Sequence, residues 1–216
     1  MTFDPSLYLQ YGPLLLQGFA TTAWICLFAT LIGIGIGLAA ALIGATPFAP
    51  LRWLVRTYIE VMRGVPILIL LFILYYGGPS FGLRWRAETV GIIGLGVYSG
   101  GYFAEIFRAG FQSIPAGQIE AARMIGLSSG QIITRIKLPQ MLLLIIPPMI
   151  NQIIILIKES AVLSIITVAE LTKNTAQFVN ETYAVIEPYL AAALLYWLLI
   201  ELVSWLGRAI ERRVSY

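Results

Sequence analysis

The sequence predicts an all-α membrane protein with five transmembrane helices, and three observations support this fold class. Hydrophobic residues make up 59% of the 216 residues and charged residues only 12%, whereas a soluble domain has about 25% charged residues. The mean hydropathy is +0.85. Polar stretches separate apolar segments at about 13–43, 54–77, 89–107, 139–157 and 188–206. No linker or low-complexity tract divides the chain, so we expect 1–216 to form a single transmembrane domain.

The first span, 13–43, carries no charge, because no charged residue lies between Asp4 and Arg52. It is longer than the roughly 20 residues that a helix needs to cross a bilayer core about 30 Å thick. No Lys or Arg precedes it, which argues against a cleaved signal peptide. Arg52 and Arg56 follow it, so its C-terminal end is predicted to be cytoplasmic and the N-terminus of the chain to lie outside.

Glycine and proline predict how the first three spans pack. The glycines at 33–37 lack the G-x-G-x-x-G order and the preceding strand of a nucleotide-binding loop, so we interpret them as helix-packing residues. The second span, 54–77, is expected to be kinked at Pro66. The third, 89–107, contains a G-x-x-x-G pattern, which favours a tightly packed position near the centre of the bundle.

The fourth span, 139–157, combines prolines with polar residues. We expect Pro147-Pro148 to break the helix. Asn151 and Gln152 fall at membrane depth, where such side chains must face protein or water and not lipid.

The segment 161–169 is apolar but too short to cross the bilayer. Together with the polar segment 172–182 it predicts a re-entrant or periplasmic-side pair of helices. The last span, 188–206, contains Glu201. An acid inside a span is a candidate functional residue, but Ser204, Arg208 or a polar group of another helix can satisfy it, and we favour that structural interpretation.

The resulting topology places the N-terminus outside and the C-terminus inside. It agrees with the excess of basic residues expected on the cytoplasmic side. The predicted inside residues are Arg52, Arg56, Arg63, Arg108, Arg123, Arg135, Lys137, Arg208, Arg212 and Arg213, and the predicted outside residues are Arg84, Arg86, Lys158 and Lys173.

A polar loop at about 114–137 separates the third and fourth spans. Pro115 can open a helix, because its fixed φ suits the first turn. Gly126 can close that helix in a left-handed conformation, which predicts a helix of roughly three turns. Ser128 and Gln131 have the spacing of a capping box, so a second helix should begin almost immediately.

Glu120-Ala121-Ala122, followed by Gly126, Ile136 and Leu138-Pro139, resembles the EAA loop of ABC importer permeases. In that family the loop forms a coupling helix that docks into the ATPase subunit. The resemblance implies a type I ABC importer permease-like fold and a coupling role for six residues: Gln118, Glu120, Ala121, Ala122, Arg123 and Gly126. The flanking segments 60–66 and 101–110 resemble the branch that handles polar amino acids such as histidine, glutamate, glutamine, arginine and opines.

The resemblance implies a permease subunit of a binding-protein-dependent importer in the bacterial cytoplasmic membrane. The chain contains no G-x-x-x-x-G-K-[ST] sequence, so ATP and Mg are expected in two separate ATPase subunits. The other expected partners are a second permease chain, identical or related, a periplasmic or extracellular substrate-binding protein, the polar amino acid and the lipid bilayer. With no histidine and one cysteine, we expect no catalytic group, metal site or cofactor in this chain, and we expect no nucleic acid partner.

The alternative is an ATP-independent secondary transporter or channel. It predicts inverted repeats or ionisable residues distributed through the bundle. Only Glu201 lies deep within a predicted span, and no strong internal repeat is visible.

Candidate substrate-binding residues lie at the end of the fourth span. A zwitterionic amino acid needs a cationic and an anionic partner close together, and a hydroxyl can complete the hydrogen bonds. Lys158-Glu159-Ser160 is similar to a lysine-acid-hydroxyl motif of polar amino acid permeases, although Ala161-Val162 departs from the Ser-Leu that often follows. Alternatively, Lys158 extends to the interface while Glu159 is solvated or paired with it. The candidate set is Asn151, Gln152, Lys158, Glu159 and Ser160.

Overall fold

A computed structural model describes residues 3–214, which are helical apart from short connections and contain no strand. The short elements are π turns at Ile73–Gly77 and Ile133–Lys137 and 3-10 turns at Gly78–Phe81 and Ser160–Ile166. The α-helices are α1 (Leu7–Gly44), α2 (Ala49–Gly64), α3 (Ile67–Phe72), α4 (Ala87–Gln112), α5 (Ala116–Met124), α6 (Ser129–Ile132), α7 (Leu138–Glu159), α8 (Leu171–Thr182) and α9 (Ile186–Val214).

Four helical stretches are long and apolar enough to cross a membrane: Leu7–Gly44, Ala87–Gln112, Ser129–Ile166 and Ile186–Arg213. A fifth crossing is formed if the bent pair Ala49–Gly64 and Ile67–Phe81 is counted as one span. These counts apply to the described residues and agree with the predicted all-α membrane fold.

The interruption predicted at Pro66 is present, and it is larger than a kink. The chain bends by 105° between α2 and the helical segment that begins at Ile67. Val65 is extended, with φ −101° and ψ 132°, as expected for a residue that precedes proline. The predicted segment 54–77 therefore falls on two helices with different directions. None of the residues of α2 is buried in this chain.

The break predicted at Pro147-Pro148 is wrong. α7 continues through both prolines from Leu138 to Glu159. Each proline removes one backbone donor, but neighbouring helices and small local adjustments can satisfy the freed carbonyls within a membrane bundle. The irregularity instead lies earlier, in the π turn just before Pro139, where a wider turn relieves the clash of a proline ring with the preceding turn.

α1 and α4 pack closely through glycines on both helices, and α1 supplies Gly33 and Gly37 to this contact. A Cβ atom built on Gly37 would lie 2.5 Å from Cβ of Phe103 and 2.8 Å from the backbone nitrogen of Ala104. Gly35, on the opposite side of α1, has no atom within 4 Å of its built Cβ. The glycines of α1 therefore include helix-packing positions, as the sequence predicts.

Between α7 and α9, the predicted pair of helices is one 3-10 turn and one α-helix. Ser160–Ile166 continues directly from α7 as the 3-10 turn, and α8 has 12 residues. A helix of that length spans about 18 Å, which is too short to cross the bilayer core.

The pairing of Glu201 with Arg208 that the sequence suggests is present. Arg208 donates from Nη2 to Glu201 Oε1 at 2.8 Å, and both side chains are 51% exposed. The Ser204 hydroxyl instead donates to the carbonyl of Ile200.

Candidate functional site

The loop that resembles the EAA motif contains a short, regular helix. α5 has nine residues, Ala116–Met124, or about two and a half turns. Pro115 precedes it with φ −58° and ψ 133°, and its carbonyl accepts a hydrogen bond from the backbone N–H of Gln118 at 3.1 Å. Proline thus opens the helix, as the sequence predicts.

Gly126 ends α5 in the left-handed region, with φ +81°. The backbone N–H of Leu127 donates to the carbonyl of Ala122 at 3.0 Å, and that of Gly126 donates to the carbonyl of Arg123 at 3.0 Å. This pair of bonds is the Schellman motif. No atom lies within 4 Å of a Cβ built on Gly126, so the requirement for glycine comes from the backbone conformation and not from crowding.

The capping box predicted after Gly126 is confirmed. The backbone N–H of Gln131 donates to Ser128 Oγ at 3.4 Å, and the backbone N–H of Ser128 donates to Gln131 Oε1 at 2.9 Å. The next helix therefore begins at once and holds the end of α5 in a fixed relation to α7.

One side of α5 faces the chain and the other is uncovered. Ala122 is the buried residue of α5, at 3% exposure. Gln118 is exposed but accepts a hydrogen bond from Gln140 Nε2 of α7 at 2.8 Å, so it ties the two helices together. Glu120 and Arg123 are exposed, and neither side chain has a hydrogen bond or ion pair within the described part of the chain.

Sequence reasoning missed two apolar residues at the end of α5. Met124 is 87% exposed and Ile125 is 77% exposed. Large apolar side chains that stay uncovered beside polar ones are typical of interaction surfaces. The signal was available, because the two residues stand together directly before the glycine that ends the helix. We call Glu120, Ala121, Arg123, Met124 and Ile125 the exposed α5 face.

The candidate substrate residues do not converge. Lys158 and Asn151 are exposed, and no ion pair joins Lys158 to Glu159 among residues 3–214. Ser160 is fully buried, and its hydroxyl donates to the carbonyl of Ile157 at 2.7 Å. Gln152 is 5% exposed. Of the five residues, Glu159 and Gln152 face into the bundle with unused hydrogen-bonding capacity.

Glu159 instead meets a tyrosine pair on α4 that sequence reasoning missed. The Tyr98 hydroxyl lies 3.3 Å from Glu159 Oε1 and 3.1 Å from the Tyr102 hydroxyl. Glu159 Oε2 and Gln152 Nε2 are buried without a partner in the described structure. Gln152 and Glu159 are seven residues apart, so they lie on the same face of α7, about 10 Å from each other along the helix. We call Tyr98, Tyr102 and Glu159, together with Gln152 two turns earlier on the same face of α7, the polar cluster; the four-residue spacing of the tyrosines was the available signal.

Near the polar cluster, the segment 101–110 of α4 contacts α2. Arg63 of α2 lies 3.6 Å from a carboxylate oxygen of Glu105, and its guanidinium carbon lies 5.8 Å from the centre of the Tyr102 ring. Arg108 donates to the same carboxylate at 2.7 Å. This places cationic and anionic side chains next to the tyrosine pair.

A family model described as "Binding-protein-dependent transport system inner membrane component" matches residues 33–216. The chain belongs to this family. It is 35% identical over 214 residues to the probable amino-acid ABC transporter permease protein YckA of Bacillus subtilis (strain 168), covering 99% of this chain and 95% of that protein. It is 32% identical over 216 residues to the arginine transport system permease protein ArtQ of the same strain, covering 100% of this chain and 99% of that protein.

The fold also matches the fold of a solved amino acid ABC transporter. A solved structure, described as an amino acid ABC transporter with histidines, superimposes with a TM-score of 0.91 at 36% sequence identity, covering 99% of this chain and 100% of that one. The predicted type I ABC importer permease fold is therefore confirmed. As a binding-protein-dependent inner membrane component, the chain is a multi-pass permease subunit. The alternative of an ATP-independent transporter or channel is not favoured.

Proposed function

We propose that this chain carries a polar amino acid across the cytoplasmic membrane, and that ATP hydrolysis in separate subunits drives the transport. The observation that carries the proposal is the exposed α5 face, a rigid helix end whose charged and apolar side chains have no partner in the described chain. The relatives support the cargo class, because YckA and ArtQ are named for amino acid and arginine transport.

The proposed complex contains two ATPase subunits that bind ATP and Mg, a second permease chain, identical or related, and a substrate-binding protein outside the membrane. The spans of a single chain are too few to enclose a path for an amino acid. In this arrangement the ATPases contact the cytoplasmic side and the binding protein contacts the opposite side.

The exposed α5 face is proposed to dock on the ATPase. Glu120 and Arg123 supply charges that can form ion pairs across the interface, while Met124 and Ile125 supply apolar area. Ala122 and Gln118 act on the inner side, where they hold α5 against the membrane helices. Closure of the ATPases on ATP then moves α5, and the Schellman motif and the capping box transmit that movement to α7 as a rigid-body shift.

The topology of the proposal follows from α4. The loop at 82–86 lies directly before α4, and α5 follows directly after α4. An α4 that spans the membrane therefore places that loop and α5 on opposite sides of the membrane. With α5 in the cytoplasm, the N-terminus lies outside and the C-terminus inside. The single permease domain then has basic residues concentrated on the cytoplasmic side.

The polar cluster is proposed to contact the amino acid during transport. The free oxygen of Glu159 can accept hydrogen bonds from a substrate ammonium, and the tyrosine hydroxyls and Gln152 can bind its carboxylate or a polar side chain. Lys158, Asn151 and Ser160 are the remaining candidates. Lys158 and Asn151 remain free to reach the substrate from exposed positions, whereas the Ser160 hydroxyl already has a backbone partner.

The test is uptake into proteoliposomes that hold the complete complex, with ATP enclosed and saturating binding protein outside, using L-arginine, L-glutamine and L-histidine in turn. Wild-type uptake should require both ATP and the binding protein. Replacing Glu159→Gln should lower uptake about tenfold, because the neutral amide loses the charge that strengthens a hydrogen bond to the substrate ammonium. Assembly with the ATPase subunits should be unchanged.

Glu181→Gln is a matched control, since Glu181 is an exposed acid whose hydrogen bond joins it to Gln177 on the same helix. Unchanged uptake kinetics in Glu159→Gln for all three amino acids would remove the polar cluster from the pathway and leave selectivity to the binding protein. Uptake that proceeds without ATP would contradict the proposed function itself.

A further inference from the structure

One buried acid, Glu170, takes part in neither of these sites. It lies between α7 and α8 and its side chain is 0% exposed. It forms no ion pair with a Lys or Arg of residues 3–214. Burying a carboxylate is costly unless hydrogen bonds or an opposite charge compensate, so its partners indicate what it does.

Glu170 caps α8 with both carboxylate oxygens. The backbone N–H of Lys173 donates to Oε1 at 2.7 Å, and that of Thr172 donates to Oε2 at 2.9 Å. The hydroxyl of Tyr196, on α9, donates to Oε2 at 3.0 Å. Hydrogen bonds to a carboxylate are strong, and the positive end of the helix dipole also favours a negative charge at this position. Together with the Thr172 hydroxyl, which lies 2.9 Å from the Tyr196 hydroxyl, Glu170 therefore fixes α9 to the first turn of α8.

The same turn of α8 is fixed to α1. The backbone N–H of Leu171 donates to Thr22 Oγ1 at 3.1 Å. A Cβ atom built on Gly18 of α1 would lie only 2.9 Å from Cα of Leu171, so the two backbones are in contact. Three helices therefore meet at Glu170.

Residues 160–169 join Glu170 to Glu159 of the polar cluster. They begin as the 3-10 turn Ser160–Ile166, which continues directly from α7. Thr167 follows with φ +70°, a left-handed conformation that is uncommon for a residue other than glycine and persists only where the surroundings hold it. This compact connection couples the position of Glu170 to the end of α7.

We propose that Glu170 is a positioning residue for transport: by fixing the start of α8 to α1 and α9, it holds the end of α7 where Glu159 meets Tyr98. The part that concerns the substrate rests on the proposed function of the polar cluster. Glu170 itself does not touch the substrate.

The reactivity of the single cysteine, Cys26, reports on the packing of α7 and α9 near Glu170, in an assay that requires no transport. Cys26 of α1 is 4% exposed and belongs to one apolar cluster with Ile157 of α7 and Tyr196 of α9. We expect N-ethylmaleimide to modify Cys26 in the assembled complex about tenfold faster in Glu170→Ala than in wild type, because Tyr196 loses one of its two partners at the start of α8 and keeps only the hydroxyl of Thr172. Glu181→Gln, a change to an exposed acid of α8, should leave the rate unchanged.

Uptake supplies the second measurement, at saturating binding protein and with L-arginine or L-glutamine. Glu170→Ala should lower uptake about tenfold. Glu170→Asp should restore most of it, because aspartate is itself a favoured N-cap that can accept the two backbone N–H groups. If Glu170→Ala does not assemble, Glu170→Gln and Tyr196→Phe remove fewer interactions and should change both measurements in the same direction.

Faster modification of Cys26 in both Glu170→Ala and Tyr196→Phe, which keeps the carboxylate, together with rescue by Glu170→Asp would support the proposal. An unchanged Cys26 rate in Glu170→Ala or Glu170→Gln would overturn it, whatever the uptake assay gives. Faster modification with normal uptake in Glu170→Ala but reduced uptake in Glu159→Gln would overturn the positioning role of Glu170 in transport. Faster modification with normal uptake in both variants would contradict the substrate role of the polar cluster and leave Glu170 with a structural role only.

Discussion

Replacing Gly126→Val should abolish most binding-protein-dependent uptake while the permease still assembles with its ATPase subunits. Gly126 has φ +81°, and a left-handed conformation costs an L-residue roughly 1–2 kcal/mol, more when the side chain is β-branched. The chain can avoid that cost by giving up the Schellman bonds at the end of α5. The exposed α5 face would then shift relative to α7, so ATP would be hydrolysed out of step with transport.

Gly117→Ala is the matched control for this variant. Gly117 lies in the same short helix, its φ is not in the left-handed region, and a Cβ built on it has no atom within 4 Å. We expect uptake close to that of wild type, because alanine favours a helix more than glycine does. Normal uptake and normal substrate-stimulated ATP hydrolysis in Gly126→Val would show that the end of α5 does not couple the two processes.

Replacing Gly37→Val should sharply reduce the amount of folded permease. The first added atom would lie 2.5 Å from Cβ of Phe103 and 2.8 Å from the backbone nitrogen of Ala104, so α1 and α4 would have to separate. Overpacking a tight interior typically costs about 1–3 kcal/mol, and a clash with backbone is at the upper end because no side chain rotation relieves it. The measurement is the thermal midpoint of the purified complex together with its monodisperse yield.

Gly35→Val provides the comparison for that experiment. It makes the same chemical change two residues away on the same helix, at a position whose built Cβ has no atom within 4 Å. Its thermal midpoint should differ little from that of wild type. Equal midpoints for Gly35→Val and Gly37→Val would mean that the close approach of α1 to α4 is not what stabilises the bundle.

Features governed by local rules could be predicted from the sequence. The end of α5 at Gly126, the capping box at Ser128 and the interruption at Pro66 each depend on backbone conformation or on residues within one turn. The pairing of Glu201 with Arg208 was also accessible, since both side chains belong to one helix. In these cases the residue types and their spacing are enough to predict the local structure.

Features that depend on packing could not be predicted in the same way. Lys158 and Glu159 are neighbours in sequence but diverge by about 100° around α7, and only the position of α4 determines that Glu159 meets Tyr98. The sequence predicts a break at the two prolines 147–148, yet the surrounding bundle allows α7 to continue. The exposure of Met124 likewise depends on how α5 sits beside the membrane helices.

Site-specific cross-linking tests most directly whether the exposed α5 face contacts an ATPase. In a Cys26→Ser background, a photoreactive maleimide is attached to Met124→Cys, or to Phe81→Cys, a position that is 83% exposed and precedes α4. We expect an adduct between the permease and the ATPase subunit from Met124→Cys and none from Phe81→Cys. Met124→Cys should also be protected from a membrane-impermeant thiol reagent added outside intact cells. Labelling of Met124→Cys from outside, or an ATPase adduct from Phe81→Cys alone, would contradict the docking of the exposed α5 face on the ATPase.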